Sequence, residues 1–340
     1  MKAYQIGPQT GLESLTPVTR RDLVPGPGEA IVQVRLVALN HRDMLVLKGS
    51  YGARRPEDRV PVSEGVGEVL QVGEGVTGVT VGQRVVAPHF VTWIDGDFNR
   101  RAFAHDVGIT HDGWLAEQVR VPAAALVPVP DSLTDIQVAP LASSALTAWN
   151  AVVEVGKVKA GDAVLALGTG GVSIWALQIA KAAGARVAIT SSSDEKLDLA
   201  RRLGADITIN YRTTPDWEKA VLEATGGAGA DVIVETGGQA TLRRSIDAAA
   251  NNARIIIIGG LAGAANEGLP NFGTIIGKNL VLTGIAEGSR AMLARLLRAI
   301  ETHNIQPVVD REFAFDDALE AYRHLATASH VGKVLVRVSA

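Results

Sequence analysis

The 340-residue sequence predicts an α/β fold in which a doubly wound parallel sheet is joined to a second, β-rich domain. Three observations predict it. First, a glycine-rich turn in residues 163–183 lies between an apolar run and a helical pattern. Second, strand and helix patterns alternate from there to about residue 302. Third, the first 125 positions contain short apolar runs that are separated by turn residues. Alternating β and α elements are typical of a parallel sheet covered by helices.

The region before the glycine-rich turn predicts a partly open barrel. Its short apolar runs cover residues 30–39, 67–72, 84–87 and 115–121. Glycines crowd the stretch from Gly65 to Gly82, which suits the tight turns of a small barrel. After Pro307 a strand, a helix and a further strand follow, and we expect this tail to pair back into the barrel. We therefore predict a β-rich domain from residues 1–125 and 306–340, and a parallel-sheet domain from residues 126–305.

The parallel-sheet domain is predicted from hydrophobic periodicity, which separates helices from strands. Helical patterns cover residues 136–155, 174–183, 217–224, 241–250 and 291–302. Strand-like apolar runs cover residues 163–167, 186–190, 231–234, 254–258 and 280–284.

Residues 90–112 have poor periodicity and predict a long excursion between strands. Several titratable side chains lie in it or directly before it, namely His89, His105, His111, Asp95, Asp97, Asp106 and Asp112. No pair has the helical i, i+4 spacing of zinc-binding histidines, so we expect solvated loop residues and no metal site.

The turn over residues 168–173 predicts a dinucleotide site. Its glycines let the backbone approach a pyrophosphate, and the following helix offers free N–H groups and a favourable dipole to phosphates. Ser173 replaces the third glycine of the G-x-G-x-x-G pattern and is small enough to keep the helix close to the sheet. Because strand, turn, helix and second strand occur in the right order, a Rossmann domain is favoured over an unrelated glycine-rich turn.

The composition excludes several kinds of site. With 33 basic and 36 acidic residues the net charge is −3, so nothing predicts a nucleic-acid or polybasic surface. The chain has no cysteine, which excludes disulfides, a cysteine nucleophile and every zinc site that needs thiolates. Residues 1–6 lack the apolar segment of a signal peptide and the apolar runs are short, so we expect a cytoplasmic protein without a membrane span.

Together these motifs resemble the medium-chain dehydrogenase/reductase superfamily over essentially the whole chain. The β-rich part carries PGPGE at 25–29, NHRD at 40–43, EGVGEV at 64–69 and VGQRV at 81–85. The remainder carries GTGGV at 168–172, LGAD at 203–206, NY at 210–211 and GKV at 332–334. The resemblance implies a GroES-like catalytic domain, a Rossmann domain and an NAD(P)-dependent oxidoreductase.

The positions that hold zinc in alcohol dehydrogenases of this superfamily are occupied differently here. Asn40 stands in place of the first cysteine, Ser63-Glu64 in place of a His-Glu pair and Ser143 in place of the second cysteine. The four-cysteine structural zinc lobe is also absent. The sequence is therefore similar to the zinc-free quinone oxidoreductases and enoyl reductases, and we predict no metal.

Without a Lewis acid, reduction of a conjugated carbonyl is easier than oxidation of an alcohol, because the developing enolate needs only hydrogen-bond donors. We therefore predict an NADPH-dependent reductase of quinones or α,β-unsaturated carbonyls. Candidate donors are Asn40, Arg42 and Tyr51. The resemblance implies that Asn40 lies beside the nicotinamide and that Tyr51 belongs to the loop that lines the substrate cleft. Structural roles stay open for all three, and water is an alternative proton donor. Two other functions also stay open: an alcohol or aldehyde dehydrogenase of the zinc-type family, and a non-catalytic pyridine-nucleotide sensor.

The end of the second Rossmann strand predicts which nicotinamide cofactor binds. An NAD site places an acidic residue there for the ribose hydroxyls, whereas this chain has Ser191 and Ser192, with Lys196 and Arg212 close in sequence. Hydroxyls beside cations suit a 2′-phosphate, although Asp194 adds a nearby negative charge. We predict NADPH, with NAD less favoured.

Other cofactor contacts are expected at the carboxyl ends of the strands, and the resemblance adds further positions. The predicted cofactor-binding residues are His41, Thr147, Gly168, Thr169, Gly170, Gly171, Val172, Ser191, Ser192, Lys196, Tyr211, Thr236, Gly259, Gly260, Leu261, Ile285, Arg290 and Lys333. The family commonly dimerises by continuing its nucleotide-domain sheet, and the apolar run 280–284 is the expected edge, so we predict a homodimer.

Overall fold

A computed structural model describes residues 1–51, 57–263 and 270–339. The chain divides into two compact units, Met1–Leu146 with Gly288–Ala340 and Thr147–Glu287. We call them the catalytic unit and the nucleotide unit. The predicted boundaries lie near residues 125 and 305, about 20 residues outside the nucleotide unit on each side. The sequence cues mark a change from β to helical texture, whereas the units are separated by where contacts become sparse.

The strands and helices are numbered in chain order. The strands are β1 Lys2–Ile6, β2 Leu15–Thr19, β3 Glu29–Leu39, β4 Gly65–Val72, β5 Arg84–Val86, β6 Gln118–Pro122, β7 Val127–Pro128, β8 Ala163–Ala166, β9 Arg186–Ser191, β10 Ile207–Asn210, β11 Ala230–Glu235, β12 Ala249–Ile257, β13 Val281–Gly284, β14 Val309–Ala314 and β15 Lys333–Arg337. The helices are α1 His41–Leu47, α2 Asp135–Val138, α3 Leu146–Trp149, α4 Gly171–Ala182, α5 Asp194–Arg202, α6 Trp217–Ala224, α7 Leu242–Ala248, α8 Phe272–Gly277, α9 Arg290–His303 and α10 Ala318–Ala326.

The nucleotide unit confirms the predicted fold class. Its sheet has the order β10-β9-β8-β11-β12-β13, and every neighbouring pair is parallel. Numbered from β8, this is the 3-2-1-4-5-6 order of a Rossmann sheet, so strand order reverses between β8 and β11. Ligands of such sheets bind outside the carboxyl ends of the strands at that point.

The catalytic unit is built on a largely antiparallel sheet with the order β14-β15-β3-β4-β5-β7, and β6 also pairs with β3. The C-terminal tail returns to this sheet as predicted, because β15 pairs antiparallel with β3 and aligns Leu335 with Ala38. The long strand β3 is almost continuously buried, which explains its run of apolar residues. This pairing brings Lys333, the first residue of β15, to the end of β3 where Asn40 lies.

One helical segment among the described residues, Asp135–Val155, is long and apolar enough to cross a membrane by length and composition. Buried positions make up 83% of its 18-residue window, as in a core helix. It combines α2 and α3 with π-helical turns at Leu141–Ala145 and Asn150–Val155.

The excursion over residues 90–112 is more ordered than the sequence predicts. Side chains of Phe90, Trp93, Phe98 and Phe103 pack at steep angles with ring centroids 5.1 to 5.9 Å apart. The expectation of solvated residues is wrong for His89 and Asp106, which are 5% and 2% exposed. The aromatic cluster provides a local core, and Asp106 gains a buried arginine partner. Periodicity does not detect a core made by a few aromatic rings at irregular spacing.

Candidate active site

The glycine-rich turn lies at the carboxyl end of β8. Gly168 has φ +75°, in the left-handed region that favours glycine. A Cβ built at Gly168 or Gly170 would meet no atom of the described residues within 4 Å, so these residues leave open space beside both glycines. Gly170 is the N-cap of the 12-residue helix α4 and makes no side-chain capping bond. The turn therefore fits a phosphate group, which the N-terminus of α4 would stabilise.

Ser173 has a specific role in place of the third glycine. Its Oγ donates to the carbonyl oxygen of Leu167 at 2.6 Å, and Oγ1 of Thr236 donates to the same oxygen at 2.9 Å. Thr236 follows β11, so this carbonyl ties together the two strands at the switch point. The hydrogen bond of Ser173 holds the start of α4 close to the end of β8.

The end of β9 carries hydroxyls rather than a carboxylate. Ser191 is the last residue of β9, 1% exposed, and its Oγ lies 3.1 Å from Oγ1 of Thr169. Ser193 caps α5 by accepting from the backbone N–H of Lys196. Asp194 accepts from Nδ2 of Asn210 at 2.8 Å, so its carboxylate already has a local partner.

A buried carboxylate at the carboxyl end of β11, where we expect cofactor contacts, instead shapes the loop that follows the strand. Glu235 is 0% exposed, and its Oε1 accepts from the N–H groups of Gly237 and Gly238 and from Oγ1 of Thr241 at 2.6 to 2.9 Å. Its Oε2 accepts from Oγ of Ser245. The carboxylate thus fixes the loop that carries Thr236. In the sequence, Glu235 stands out only as a charged residue at the end of an apolar strand. That position alone does not tell whether the carboxylate binds a ligand or supports the loop.

The other predicted cofactor residues occupy positions in both units. In the nucleotide unit, the carboxyl ends of the strands carry Gly171 and Val172 after β8, Ser192 after β9, Tyr211 after β10, Gly259, Gly260 and Leu261 after β12, and Ile285 after β13. Thr147 is buried in α3. In the catalytic unit, His41 is the exposed first residue of α1, and Arg290 begins α9 with its Nε donating to the carbonyl oxygen of Leu126.

The catalytic unit contains a buried ammonium at the positions that match the zinc site. Nζ of Lys333 lies 2.6 Å from Oδ1 of Asn40 and 2.6 Å from Oε1 of Glu64. The side chains of Lys333 and Glu64 are 3% and 0% exposed, whereas Asn40 is half-buried. Nδ2 of Asn40 donates to Oε1 of Glu64 at 2.8 Å, and the backbone N–H of Ser143 donates to Oε2 at 2.6 Å. We call Asn40, Glu64 and Lys333 the amide–carboxylate–ammonium cluster.

The backbone of Asn40 is also held in place. It follows β3 in an extended conformation and is the N-cap of α1. The carboxylate of Asp43 accepts from its backbone N–H at 2.8 Å. Burial raises the pKa of Asp43 to about 6, against the opposing effects of Arg42, the Asn40 N–H and Lys333.

Arg42 and Tyr51, which follow Asn40 in the chain, form a second group in which the two side chains pack on each other. Nη2 of Arg42 lies 2.7 and 2.8 Å from the two carboxylate oxygens of Asp106, and the two side chains are 9% and 3% exposed. The guanidinium carbon lies 5.0 Å from the centroid of the Tyr51 ring, within cation–π range. Two of the predicted donors are therefore brought together, with Arg42 already in a buried ion pair. A donor role toward substrate stays a prediction for both.

The zinc implied for relatives of this kind does not fit the donors present. Zinc sites use thiolate, imidazole and carboxylate ligands, whereas the matching positions here hold an amide, two hydroxyls and one carboxylate already bonded to an ammonium. Among the described residues, no three His, Cys, Asp or Glu side chains are grouped so that they could hold a metal ion.

Comparisons with known proteins agree with the motifs. Residues 26–131 match the model of the alcohol dehydrogenase GroES-like domain, and residues 171–302 match that of the zinc-binding dehydrogenases. A zinc-type alcohol dehydrogenase-like protein of Schizosaccharomyces pombe is 41% identical, covering 92% of this chain and 91% of the relative. An acryloyl-coenzyme A reductase of Metallosphaera sedula is 30% identical, covering 93% and 94%.

Solved structures show the same likeness. A structure from Sinorhizobium meliloti described as an alcohol dehydrogenase has a TM-score of 0.91 and 38% identity, with 99% of each chain covered. A mycobacterial protein complexed with NADPH has a TM-score of 0.82 and 26% identity, covering 99% of this chain and all of the other.

Proposed function

The chain belongs to the medium-chain dehydrogenase/reductase family and is a pyridine-nucleotide-dependent oxidoreductase, and on that premise we propose that it reduces quinones or α,β-unsaturated carbonyls with NADPH and without zinc. The observation that carries the proposal is the ammonium of Lys333, which lies against Asn40 and Glu64 where zinc ligands would be needed. A cation already present there disfavours a second, divalent one, because like charges at contact distance repel strongly in a buried site.

The polar groups of the catalytic unit suit a reduction that develops negative charge on an oxygen. Bound reduced nicotinamide supplies the hydride, so the chain itself must bind the substrate, orient it and stabilise the charge. Asn40 offers an amide at the border between the buried cluster and solvent. The relation to an acryloyl-coenzyme A reductase favours a conjugated carbonyl over a simple alcohol.

The preference for NADPH over NADH is supported by the end of β9. Ser191 and Ser192 replace the acidic residue that would accept both ribose hydroxyls and repel a 2′-phosphate. Lys196 lies in the first turn of α5, and Arg212 follows Tyr211 after β10, the strand that pairs with β9. A complex of a 26% identical relative with NADPH is in line with this choice.

We propose further that two copies pair through the edge of the nucleotide unit. β13 is the last strand in the order of that sheet. Val281 on β13 is 40% exposed, and Phe272 and Ile276 on the preceding helix α8 are 67% and 78% exposed. An apolar edge of this kind is a template for pairing with a second copy. Sizing at micromolar concentration is expected to give a homodimer, and a monomer there contradicts the proposal.

The decisive experiment combines cofactor consumption with metal analysis. Purified protein is assayed with NADPH and NADH against a panel of quinones, enones and simple aldehydes, after dialysis against a chelator and with metal content measured. We expect oxidation of NADPH by enones or quinones without bound zinc. Turnover of alcohols that depends on stoichiometric zinc favours the dehydrogenase alternative, and cofactor binding without any turnover favours the sensor. The cytoplasmic location stays a prediction.

A further inference from the structure

Lys333 has a position that a cofactor contact does not explain. It is the first residue of β15, and its side chain is 3% exposed within the catalytic unit. Its two short contacts, both 2.6 Å, go to Asn40 and Glu64 of the same unit. A buried ammonium is costly unless it is paired and hydrogen-bonded, and these two acceptors take two of its three N–H donors, one of them with a compensating negative charge.

The amide of Asn40 is oriented by these contacts. Its Oδ1 accepts from the ammonium, and one Nδ2–H donates to Glu64 at 2.8 Å. Among the described residues, the second Nδ2–H has only the carbonyl oxygen of Ala38 at 3.5 Å, the outer limit of a hydrogen bond. Since Asn40 is half-buried while its two partners are buried, this second N–H is the donor of the cluster that a ligand can use.

The ammonium also changes the strength of that donor. A charge-assisted bond to Oδ1 draws electron density from the amide nitrogen, and hydrogen bonds in such a chain strengthen one another by roughly 10–30% each. Glu64 does not cancel this effect, because its charge is compensated by Lys333 and by the N–H of Ser143 at 2.6 Å. The cluster therefore presents a polarised neutral N–H rather than a bare charge.

We propose that Lys333 is a positioning residue that orients and polarises Asn40, whose remaining Nδ2–H donates to the carbonyl oxygen of the substrate as negative charge develops there. This inference rests on the proposed function. In an enone reduction the β-carbon gains hydride as NADPH is oxidised to NADP⁺, the C=C pair moves to form the enolate, and the α-carbon then takes a proton from water. The oxygen of that enolate is the atom that Asn40 holds.

The resemblance instead assigns Lys333 to cofactor binding, and Lys333→Met separates the two roles. A polarising role predicts that kcat with an enone falls by up to about 10²-fold, the lower end of the effect of removing one oxyanion donor, while the dissociation constant for NADPH changes less than about twofold. Lys181→Met removes a partly exposed lysine paired with Asp206 in the nucleotide unit and serves as the matched control with unchanged kcat.

Two companion variants guard against misfolding, because Lys333→Met leaves the Glu64 carboxylate buried without its cation. Lys333→Met/Glu64→Gln keeps the site neutral and is expected to fold while retaining the loss of kcat. Lys333→Ala opens a cavity that propylamine can enter, and we expect the amine to raise kcat at least about tenfold without changing the KM for NADPH. Asn40→Ala is expected to make kcat insensitive to both Lys333→Met and the amine.

Each result decides between the alternatives. An NADPH dissociation constant raised more than about twofold by Lys333→Met, an unchanged kcat, or no rescue by propylamine overturns the inference. Wild-type protein that oxidises NADPH with none of the enones or quinones overturns the proposed function instead, which is a distinct outcome because it appears before any variant is made.

Discussion

The ion pair between Arg42 and Asp106 allows a sharp test of how the excursion is held against the catalytic unit. Replacement of Asp106 by Asn keeps the shape and one acceptor oxygen but removes the charge. The side chain of Arg42 is only 9% exposed and packs on Tyr51, so it stays buried in the variant. Its charge then has no carboxylate from Asp106 to compensate it. Burial lowers the pKa of the Arg42 guanidinium, but Asp106, Tyr51 and Asp43 raise it more. The guanidinium therefore stays charged in the wild type.

The expected cost follows from the geometry of this pair. Removal of one partner from a buried pair typically costs about 3–5 kcal/mol, because the other charge is left uncompensated in a medium of low polarity. Asn can still accept one hydrogen bond, so we expect about 3 kcal/mol for Asp106→Asn. For a unit of this size that corresponds to a fall in Tm of roughly 6–12 °C.

The measurement is urea and thermal unfolding of Asp106→Asn beside a surface control. Glu312→Gln disrupts a pair with Arg337 at 2.6 and 2.9 Å in which both side chains are about one-third exposed, and we expect a loss under about 1 kcal/mol. Arg42→Met with Asp106→Leu is expected to recover most of the stability, because apolar replacement of a whole buried pair is often neutral. The reasoning is refuted if Asp106→Asn costs no more than the control, or if the double variant is as unstable as the single one.

Three further predictions concern pH, packing and cofactor choice. The pKa of Asp43 is raised to about 6 from 3.8, so its neutral form stabilises the folded state below about pH 4, and this stabilisation is lost as the pH rises through 6. Asp43→Asn removes this titration, and we expect it to reduce the loss of unfolding free energy between about pH 5 and pH 8 by about 1.5 kcal/mol. Urea unfolding at several pH values measures this difference, and an unaltered pH profile contradicts the prediction. A Cβ at Gly67 would lie 2.2 Å from the carbonyl oxygen of Gln33, so Gly67→Ala should cost more than about 2 kcal/mol in thermal unfolding, whereas Gly78→Ala, with no described atom within 4 Å, should be nearly neutral. Arg212→Ala should weaken NADPH about tenfold in fluorescence titrations and leave NADH unaffected, and equal effects on both cofactors would show that the arginine does not contact the 2′-phosphate.

Local pattern predicted much of the nucleotide unit, and the exceptions have physical causes. The predicted helix over 217–224 has the observed bounds, and the strand–turn–helix around Gly168 lies where the glycines indicate. The predicted helix over 241–250 is too long, because α7 ends at Ala248 and Ala249 begins β12. Alanine favours a helix locally, but pairing of Ala249 with Ala230 of β11 wins.

The candidate site was predicted residue by residue but not in its connections. Asn40, Glu64 and Ser143 were recognised as replacements for metal ligands, yet nothing in the sequence showed that Lys333 would lie between two of them. The bond from Lys333 to Asn40 joins residues 293 positions apart, and that from Arg42 to Asp106 joins residues 64 apart.

The sequence by itself determined the parallel sheet, the glycine-rich turn before α4, the return of the tail to the first sheet and the lack of thiolate ligands, because each depends on local periodicity, on glycine at particular turns or on composition. Only the tertiary structure decided that a lysine amine occupies the positions that match the zinc site, that Asp106 is buried against Arg42 and that Glu235 supports a loop. These depend on antiparallel pairing and packing between distant segments, where the free energy of burying a charge selects its partner.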